Sequence, residues 1–294
     1  MMKKFVGALL VAALASVSQG CGMFDKKEEE KPKTENGGGG DTSGQGGGGG
    51  GMDPLTFVNA PGNVMLGPDA KVGMMGEQST EAGGTTSVMS YAIVGESGDS
   101  WLVESVHPSI TAMAGSFPDL KGMILGMTVK KADGVVTKAV AGKPGEAGKD
   151  VKIGPAATAQ TTAAPKGTPD KCTIGIGTFD AMKFETSGVT YWTGTSGAVK
   201  DTMLKMDGAN GYELAEQPKD EELDIGGTKI KTHYTAYTNG MKTWMTEDPL
   251  AATIFGGGPA AEGAKRMAVA KTEGKDYKMA ITALKTDAKP QLKW

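Results

Sequence analysis

A strand-turn-strand unit that occurs three times constrains the fold more than any other feature of this sequence. Each copy opens with Gly-Thr, continues as an alternating run, passes through a glycine and reaches a tryptophan: GTTSVMSYAIVGESGDSW, GTFDAMKFETSGVTYW and GTKIKTHYTAYTNGMKTW. Alternation with a period of two is typical of half-buried strands, and glycine supplies the positive φ angles of tight hairpins. The repetition therefore predicts a mainly β fold built from repeated hairpins, with Trp101, Trp192 and Trp244 in equivalent places.

Further alternating runs fill the rest of the chain. They predict strands at residues 86–94, 101–106, 123–131, 135–141, 172–186, 228–238, 265–271 and 277–285. Turn dipeptides stand between several of them: Gly98-Asp99, Asp133-Gly134, Asn210-Gly211 and Asn239-Gly240. Because such dipeptides favour tight hairpins, neighbouring strands are expected to pair antiparallel.

Helix signals are few. Asp248, Pro249 and Gly256 frame the run LAATIF as an N-cap, a first-turn proline and a glycine stop. This order predicts a helix of two turns. A weaker signal predicts a second short helix within residues 108–115.

The N-terminus has the three parts of a secretory signal. Two lysines precede an apolar stretch at 5–17, and small residues lead to Gly20. The apolar stretch is shorter than the roughly 18 residues that a membrane span needs. Gly20 and Cys21 resemble the end of a bacterial lipoprotein signal, which implies cleavage between them and a diacylglyceryl group on the Cys21 sulfur. The alternative is an ordinary secreted protein with a free Cys21 thiol.

The residues after the signal predict three further regions. Residues 21–54 are hydrophilic and rich in glycine, so they are expected to form a disordered tether. Residues 55–294 form the β-rich globular domain. Within it, a Pro-, Ala-, Thr- and Gly-rich stretch at 142–171 predicts a surface connection between halves at about 55–141 and 172–294.

Composition excludes several classes of protein. The chain has 31 Lys and Arg against 34 Asp and Glu, a formal charge of −3, and a single arginine, Arg266. Nucleic-acid binding requires clustered basic residues, so a nucleic-acid partner is not expected. With Cys21 lipidated, Cys172 would have no partner for a disulfide, and the fold must depend on its core.

Catalytic and metal-binding patterns are not found in the sequence. The two histidines, His107 and His233, are interpreted as strand-end or strand-face residues, and no G-x-S-x-G motif accompanies them. The acidic run DEELD at 220–224 lacks the spacing of a calcium loop and is interpreted as a solvated turn. We therefore expect a protein that is not an enzyme and uses no metal or cofactor.

The same segments carry a family resemblance. VGESGDSWLVE, GMILGMTVKKADGVVTKAVAGKPGE and GTFDAMKFETSGVTYWTGTSGAVKDTM resemble segments of uncharacterised envelope lipoproteins of Gram-negative bacteria. Their domains are similar to the LolA/LolB type of lipoprotein carrier and receptor. The resemblance covers roughly residues 71–284 and implies a strongly curved antiparallel sheet, or unclosed barrel, with short helices over its opening. It implies no catalytic residue.

Two functions of different classes follow from these observations. The first is a lipid-anchored, non-enzymatic envelope protein that binds an apolar ligand or another envelope component in a concave sheet. In it, Trp101, Trp192 and Trp244 would line an apolar cavity. The second is a structural or adhesive surface lipoprotein, in which each indole fills the core at one end of a hairpin. Both place the chain in the periplasm or on the cell surface, attached to the outer or inner membrane, and a hydrolase is a distant third.

The lipid anchor is testable at its acceptor residue. Because Cys21→Ser removes the sulfur that takes the acyl group, signal cleavage should stop and leave a precursor about two kilodaltons heavier than the mature chain. Intact-mass spectrometry of membrane fractions measures this difference. A wild-type chain that begins at Cys21 and carries no acyl mass would contradict the anchor.

Overall fold

A computed structural model describes residues 53–156, 166–186, 188–208, 211–257 and 266–294. These residues form a mainly β fold with large antiparallel sheets and two short α-helices, and the longest sheet is open at both edges. The predicted fold class is confirmed. The signal peptide, Cys21, the tether up to residue 52 and Asn210 of the predicted turn lie outside the described residues, whereas the last tether residue, Pro54, begins a 3₁₀ helix.

The first half of the chain contains eight strands and one α-helix. They are β1 (Asn59–Ala60), β2 (Met75–Ala82), β3 (Thr85–Ser97), β4 (Ser100–Ser105), α1 (Pro108–Met113), β5 (Ile124–Lys130), β6 (Val136–Gly142), β7 (Lys149–Asp150) and β8 (Lys152–Ile153). Two short 3₁₀ helices, Pro54–Phe57 and Pro118–Leu120, accompany them.

The second half contains ten strands and one α-helix within the described residues. They are β9 (Thr168–Ile174), β10 (Gly177–Thr186), β11 (Val189–Gly194), β12 (Met203–Asp207), β13 (Tyr212–Glu213), β14 (Lys219–Ile225), β15 (Thr228–Ala236), β16 (Lys242–Thr246), α2 (Pro249–Phe255), β17 (Ala268–Glu273) and β18 (Tyr277–Lys285). A 3₁₀ helix, Gly197–Val199, lies between β11 and β12.

The strands divide into three units with the same order of elements. Unit one is β2–β6, unit two is β9–β13 and unit three is β14–β18; each has three strands, a short helix and two further strands. The repeated tryptophan lies on the third strand of every unit, as Trp101 on β4, Trp192 on β11 and Trp244 on β16. The repeat read from the sequence therefore corresponds to a repeated structural unit.

Units one and three form one sheet of eleven strands together with β7, and unit two forms a separate sheet of five. In the long sheet the order is β14-β15-β16-β17-β18-β2-β3-β4-β5-β6-β7, and in the short one β13-β12-β11-β10-β9. The last strand, β18, pairs antiparallel with β2 from Tyr277 opposite Ala82 to Lys285 opposite Met75. The halves at 55–141 and 172–294 are therefore joined by strand pairing as well as by the chain between them.

Unit three curls strongly. Gly226, in the turn between β14 and β15, lies so close to β18 that a Cβ atom would be 3.3 Å from the Thr282 carbonyl oxygen. First and last strands of a flat five-stranded meander would be far apart at about 4.8 Å per strand. The sheet is thus bent around its inner face, which we define as the face carrying Val103 and Ile281.

Segments of the chain itself cover the inner face. Val103, Leu125 and Met127 of unit one are fully buried in one cluster with residues from the segment before β2 and from the connection between β4 and β5. The covering residues are Leu55, Val58, Val64, Ile110 and Leu120. The cluster is the largest hydrophobic core of the described residues and leaves unit one packed on this side.

Helix α2 covers the same face in unit three. Ala251 packs with Ile230, Ala268 and Ile281, and Ile254 packs with Ile93 of unit one. The helix forms as its sequence predicts, because the Asp248 carboxylate accepts hydrogen bonds from the N–H groups of its first turn and Gly256 ends it. The core therefore continues from unit three to unit one.

The outer face of unit one binds the C-terminal residues. Glu104 on β4 is only 2% exposed, and its carboxylate accepts hydrogen bonds from the N–H groups of Gln291 and Leu292 and from the indole of Trp294, at 2.8 to 3.1 Å. Gly126 makes room for this segment, since a Cβ there would lie 2.9 Å from the Leu292 side chain. A buried carboxylate requires such donors, so Glu104 and residues 291–294, which we call the tail, stabilise each other.

Three expectations from the sequence are corrected. The run 172–186 is two strands, β9 and β10, because a turn at Gly175 interrupts it. The run 220–224 is part of β14 rather than a turn, because two of its acids lie opposite lysines of β15, Glu222 opposite Lys231 and Asp224 opposite Lys229. The stretch 142–171 contains β7, β8 and the start of β9 within its described residues.

His107 and helix α1 predict a dependence of stability on pH. The His107 Nδ1 accepts a hydrogen bond from the Ser109 N–H at 3.3 Å and caps the helix, and burial lowers the His107 pKa below 6.5. Because the folded state disfavours protonated His107, neutral His107 favours folding above about pH 6.5. This contribution to stability is lost as the pH falls through the folded-state pKa. Urea unfolding between pH 7 and 5 should therefore show a loss of about 1 kcal/mol that His107→Asn, which keeps a capping acceptor, does not show. Identical pH profiles for the two proteins would contradict this role.

Candidate functional site

A lysine ammonium group lies over the ring of each repeated tryptophan. In units two and three this lysine is on the fourth strand of the unit, and in unit one it directly follows that strand. The Nζ atom is 4.3 Å from the ring centroid for Lys131 and Trp101, 5.5 Å for Lys205 and Trp192, and 4.6 Å for Lys271 and Trp244. Such geometry is a cation–π contact. The three units thus share a tryptophan-lysine cluster, which is the strongest candidate site that the repeat provides.

Units two and three place the indole N–H in the same way. It donates to a carboxylate on the first strand of the unit, from Trp192 to Asp170 at 2.9 Å and from Trp244 to Glu221 at 2.8 Å. In each unit the acid and the tryptophan lie on either side of the second strand. The residue opposite the acid on that strand comes two positions before the residue opposite the tryptophan. In both, the register shifts immediately after the tryptophan. The two clusters are therefore equivalent in register as well as in composition.

The charges of these clusters are paired with one another. The indole hydrogen bond holds the pKa of Asp170 below its usual value, and hydrogen bonds from Lys219 and then Trp244 lower the pKa of Glu221. The covering lysines have acidic partners two residues later, Asp207 at 3.3 Å from Lys205 and a glutamate at 2.8 Å from Lys271. In each unit these contacts therefore connect side chains on the first, third and fourth strands.

Unit one differs in its acid and in its position. Trp101 is paired with Glu96 on β3, and Glu96 binds Lys131 at 2.7 Å. Trp101 packs against the inner-face core, whereas Trp192 packs with the Cys172 cluster and Trp244 with Tyr234. The structure thus distributes the three tryptophans over separate clusters and does not bring them together around one cavity.

Cys172 is a core residue of unit two. It is 3% exposed and packs with Ala181 and Met203, and burial raises the pKa of its thiol to about 11. A thiol with such a pKa is protonated at neutral pH and is a poor nucleophile. The cysteine therefore has a packing role, while Cys21 lies outside the described residues.

Units two and three are joined by a hydrogen-bonded relay that the sequence did not reveal. His233 on β15 contacts Asp220 through Nδ1 and Thr202 through Nε2, both at 3.2 Å. Asp220 is its neighbour across the strands, but Thr202 comes from the turn before β12 in the other sheet. No local pattern links two such positions, because only the packing of the units brings them together.

An acid, a histidine and a hydroxyl in this order can activate the hydroxyl as a nucleophile. Whether Thr202 could act in this way depends on the access of a substrate to its hydroxyl. Thr202 is 5% exposed; its N–H donates to the Val199 carbonyl and its own carbonyl accepts from Gly194. The hydroxyl therefore lies in the contact between the units rather than toward solvent. We interpret these hydrogen bonds as structural contacts that position unit two on unit three.

Tyr237 strengthens this contact. It follows β15 in unit three, is 4% exposed, and its ring meets Tyr212 of unit two edge-on at 5.0 Å. Leu214 and Tyr237 also form a bridge between the two sheets. The hydrophobic core of unit two is thus completed by a residue from unit three.

Neither a metal site nor a membrane span is found in the residues that the structure describes. Across the described ranges, no three His, Cys, Asp or Glu side chains are grouped so that they could hold a metal ion. The two helices of those ranges are too short to cross a bilayer.

Comparisons with known proteins gave no match to this chain among family models, curated proteins or solved structures. The proposals below therefore depend on the sequence and the structure alone.

The tryptophan clusters predict an order of stability losses. Trp244 is 7% exposed and packs on Tyr234 at 4.9 Å, so Trp244→Ala should lower the free energy of unfolding by about 3 to 5 kcal/mol. Trp192 is only half-buried, so Trp192→Ala should cost less, about 1 to 3 kcal/mol. Urea melts measure both values, and the matched Trp→Phe variants separate the ring from the indole hydrogen bond. Equal losses of stability for the two alanine variants would contradict the prediction that the more buried tryptophan contributes more.

Proposed function

We propose that this chain is a lipid-anchored, non-enzymatic protein of a Gram-negative cell envelope whose folded domain has a structural or adhesive role. The anchor is an acyl group on Cys21, and residues 21–54 hold the domain away from the outer or inner membrane. One observation carries the choice of role, namely the packed inner face of the long sheet.

A protein that carries an apolar ligand in its concave sheet needs an empty cavity on the inner face, and in unit one side chains fill that face. Apolar ligand sites are concave pockets of several hundred Å³. On the inner face, Val58 and Leu120 are fully buried against Val103 and Met127. To occupy this face of unit one, a lipid would have to displace the segment before β2 or the connection that carries Leu120. The packing therefore favours the structural role over the carrier.

The nucleophilic and acid-base side chains support a role without catalysis. His107 caps α1, His233 joins units two and three, and the Cys172 thiol is buried with its pKa raised by burial. Each of these groups already has a structural partner or environment. The lysines and acids around Trp192 and Trp244 bind one another in the same way.

The proposal predicts that the wild-type protein takes up no apolar probe. Purified protein is titrated with a fluorescent fatty-acid analogue and its mass is measured under native conditions. We expect the mass of one acylated chain, no second apolar molecule and no saturable fluorescence change, because Leu120 and Val58 fill the inner face. Saturable binding of about one probe per chain by the wild type would contradict the structural role and favour the carrier.

Two variants make the titration decisive. Leu120→Ala should open a cavity beneath the sheet that holds benzene but not a fatty-acid chain, so a parallel titration with benzene tests whether space on this face can be detected. Val72→Ala changes a residue that is 48% exposed and serves as the matched control. Benzene should bind to Leu120→Ala and to neither the wild type nor Val72→Ala.

A further inference from the structure

Two segments that cover the inner face of unit one contain no charged side chain. They are residues 54–68 and residues 105–118, and neither contains Asp, Glu, Lys or Arg. At the chain's share of 22% charged residues, the two together would be expected to carry about six. His107 adds no charge at neutral pH, because burial lowers its pKa. We define these two segments as the uncharged cover.

The two segments form one surface. Leu55 and Val58 of the first pack in the same hydrophobic core as Ile110 of the second. Beside them, Phe57 stacks on Phe117 with the ring centroids 5.6 Å apart. The lack of charge is therefore a property of one continuous region of the domain, not of two separate loops.

Apolar side chains are exposed in and beside the uncharged cover. Phe57 is 43% exposed and Met65 is 38% exposed. Ile153 on β8 is 37% exposed and pairs with Ala60 of the cover. These are three of the five large hydrophobic side chains that are exposed in the part of the chain that the structure describes. Exposed apolar groups that are concentrated in one region mark a contact surface for a protein or a membrane.

Charged residues lie around this region instead of within it. Asp53 and Asp69 bound the first segment, Asp119 and Lys121 follow the second, and Lys152 precedes Ile153; all five are exposed. A charge is costly to remove from water, whereas aromatic and aliphatic side chains gain free energy at the boundary between headgroups and acyl chains. The region is thus suited to lie against a lipid surface.

The tether ends at the uncharged cover. Residues 21–54 join the acyl acceptor Cys21 to the first turn of the domain, Pro54–Phe57. A chain of that length and composition is expected to span about 30 Å, at roughly 5 to 6 Å times the square root of the residue number. With Cys21 acylated, the cover would be held close to lipid at a high effective concentration, so even a small apolar contact would be occupied.

We propose that the uncharged cover is a membrane-docking surface, which lies on the lipid bilayer that holds the acyl group of Cys21. Phe57 and Phe117 enter the boundary between headgroups and acyl chains, and the charged residues around them stay in water. The inference rests on the lipid anchor of the proposed function and adds which side of the domain faces the bilayer. The occupant is lipid because the tether brings this side of the domain to the bilayer.

The test reports the surroundings of a dye on the cover. The full acylated chain with Ser116→Cys is labelled with an environment-sensitive fluorophore and reconstituted into phosphatidylcholine vesicles, with and without brominated acyl chains. Ser116 is exposed beside Phe117, and Cys172 is buried and should not take the label. We expect emission at shorter wavelength in vesicles and quenching by the brominated lipid.

A second labelled position and two further substitutions are the matched controls. Ser97→Cys carries the dye at an exposed serine before β4, at the opposite end of that strand from α1, so its emission should not change. Added to the Ser116→Cys chain, Phe57→Ser should abolish the shift. Val72→Ser changes an apolar residue that is 48% exposed outside the cover, and it should leave the shift unchanged.

Flotation of the same samples with the vesicles separates the two proposals. A chain that floats while its Ser116 dye behaves like the Ser97 dye would overturn the docking surface and leave the lipid anchor standing. A chain that does not float would contradict the anchor and, with it, the docking. A shift that survives Phe57→Ser, or that brominated lipid does not quench, would overturn the docking surface too, because the dye would then report another contact.

Discussion

The pairing of β18 with β2 is the constraint on which the rest of the structure depends. These strands are separated by almost the whole domain, so forming their ladder requires closure of a very long loop. Once paired, they turn two meanders into one sheet and make its inner face continuous, which lets α2 of unit three pack Ile254 against Ile93 of unit one. The course of the C-terminal residues also starts from this junction, because they follow β18 directly.

Local features of the fold were predictable, and long-range ones were not. The hairpins, the Trp repeat and the helix framed by Asp248 and Gly256 are set by residues near one another, where turn and cap chemistry acts. Strand β14 was misread because its acids resemble a solvated turn, although they face Lys229 and Lys231 across the pair. The partner of β18 could not be read, because strand choice depends on packing over the whole sheet.

The candidate site was predictable in its residues but not in its chemistry. The repeat identified the three tryptophans, yet the carboxylates and lysines around Trp192 and Trp244 lie on other strands and become neighbours only through register. Thr202 and His233 meet through the docking of two sheets, and Glu104 meets the tail across most of the sequence. In each case a polar group in the interior or at an interface finds a partner that alternation alone does not indicate.

The position of the tail has a consequence for when folding can finish. Chains are made from the N-terminus, and early domains fold as they emerge. Here Glu104 belongs to the first unit, but its donors are among the last residues, Gln291, Leu292 and Trp294. Until those residues emerge, the first unit lacks both the donors for the Glu104 carboxylate and β18 beside β2. The first unit therefore reaches its final packing only after residues 187 positions further along the chain have been made.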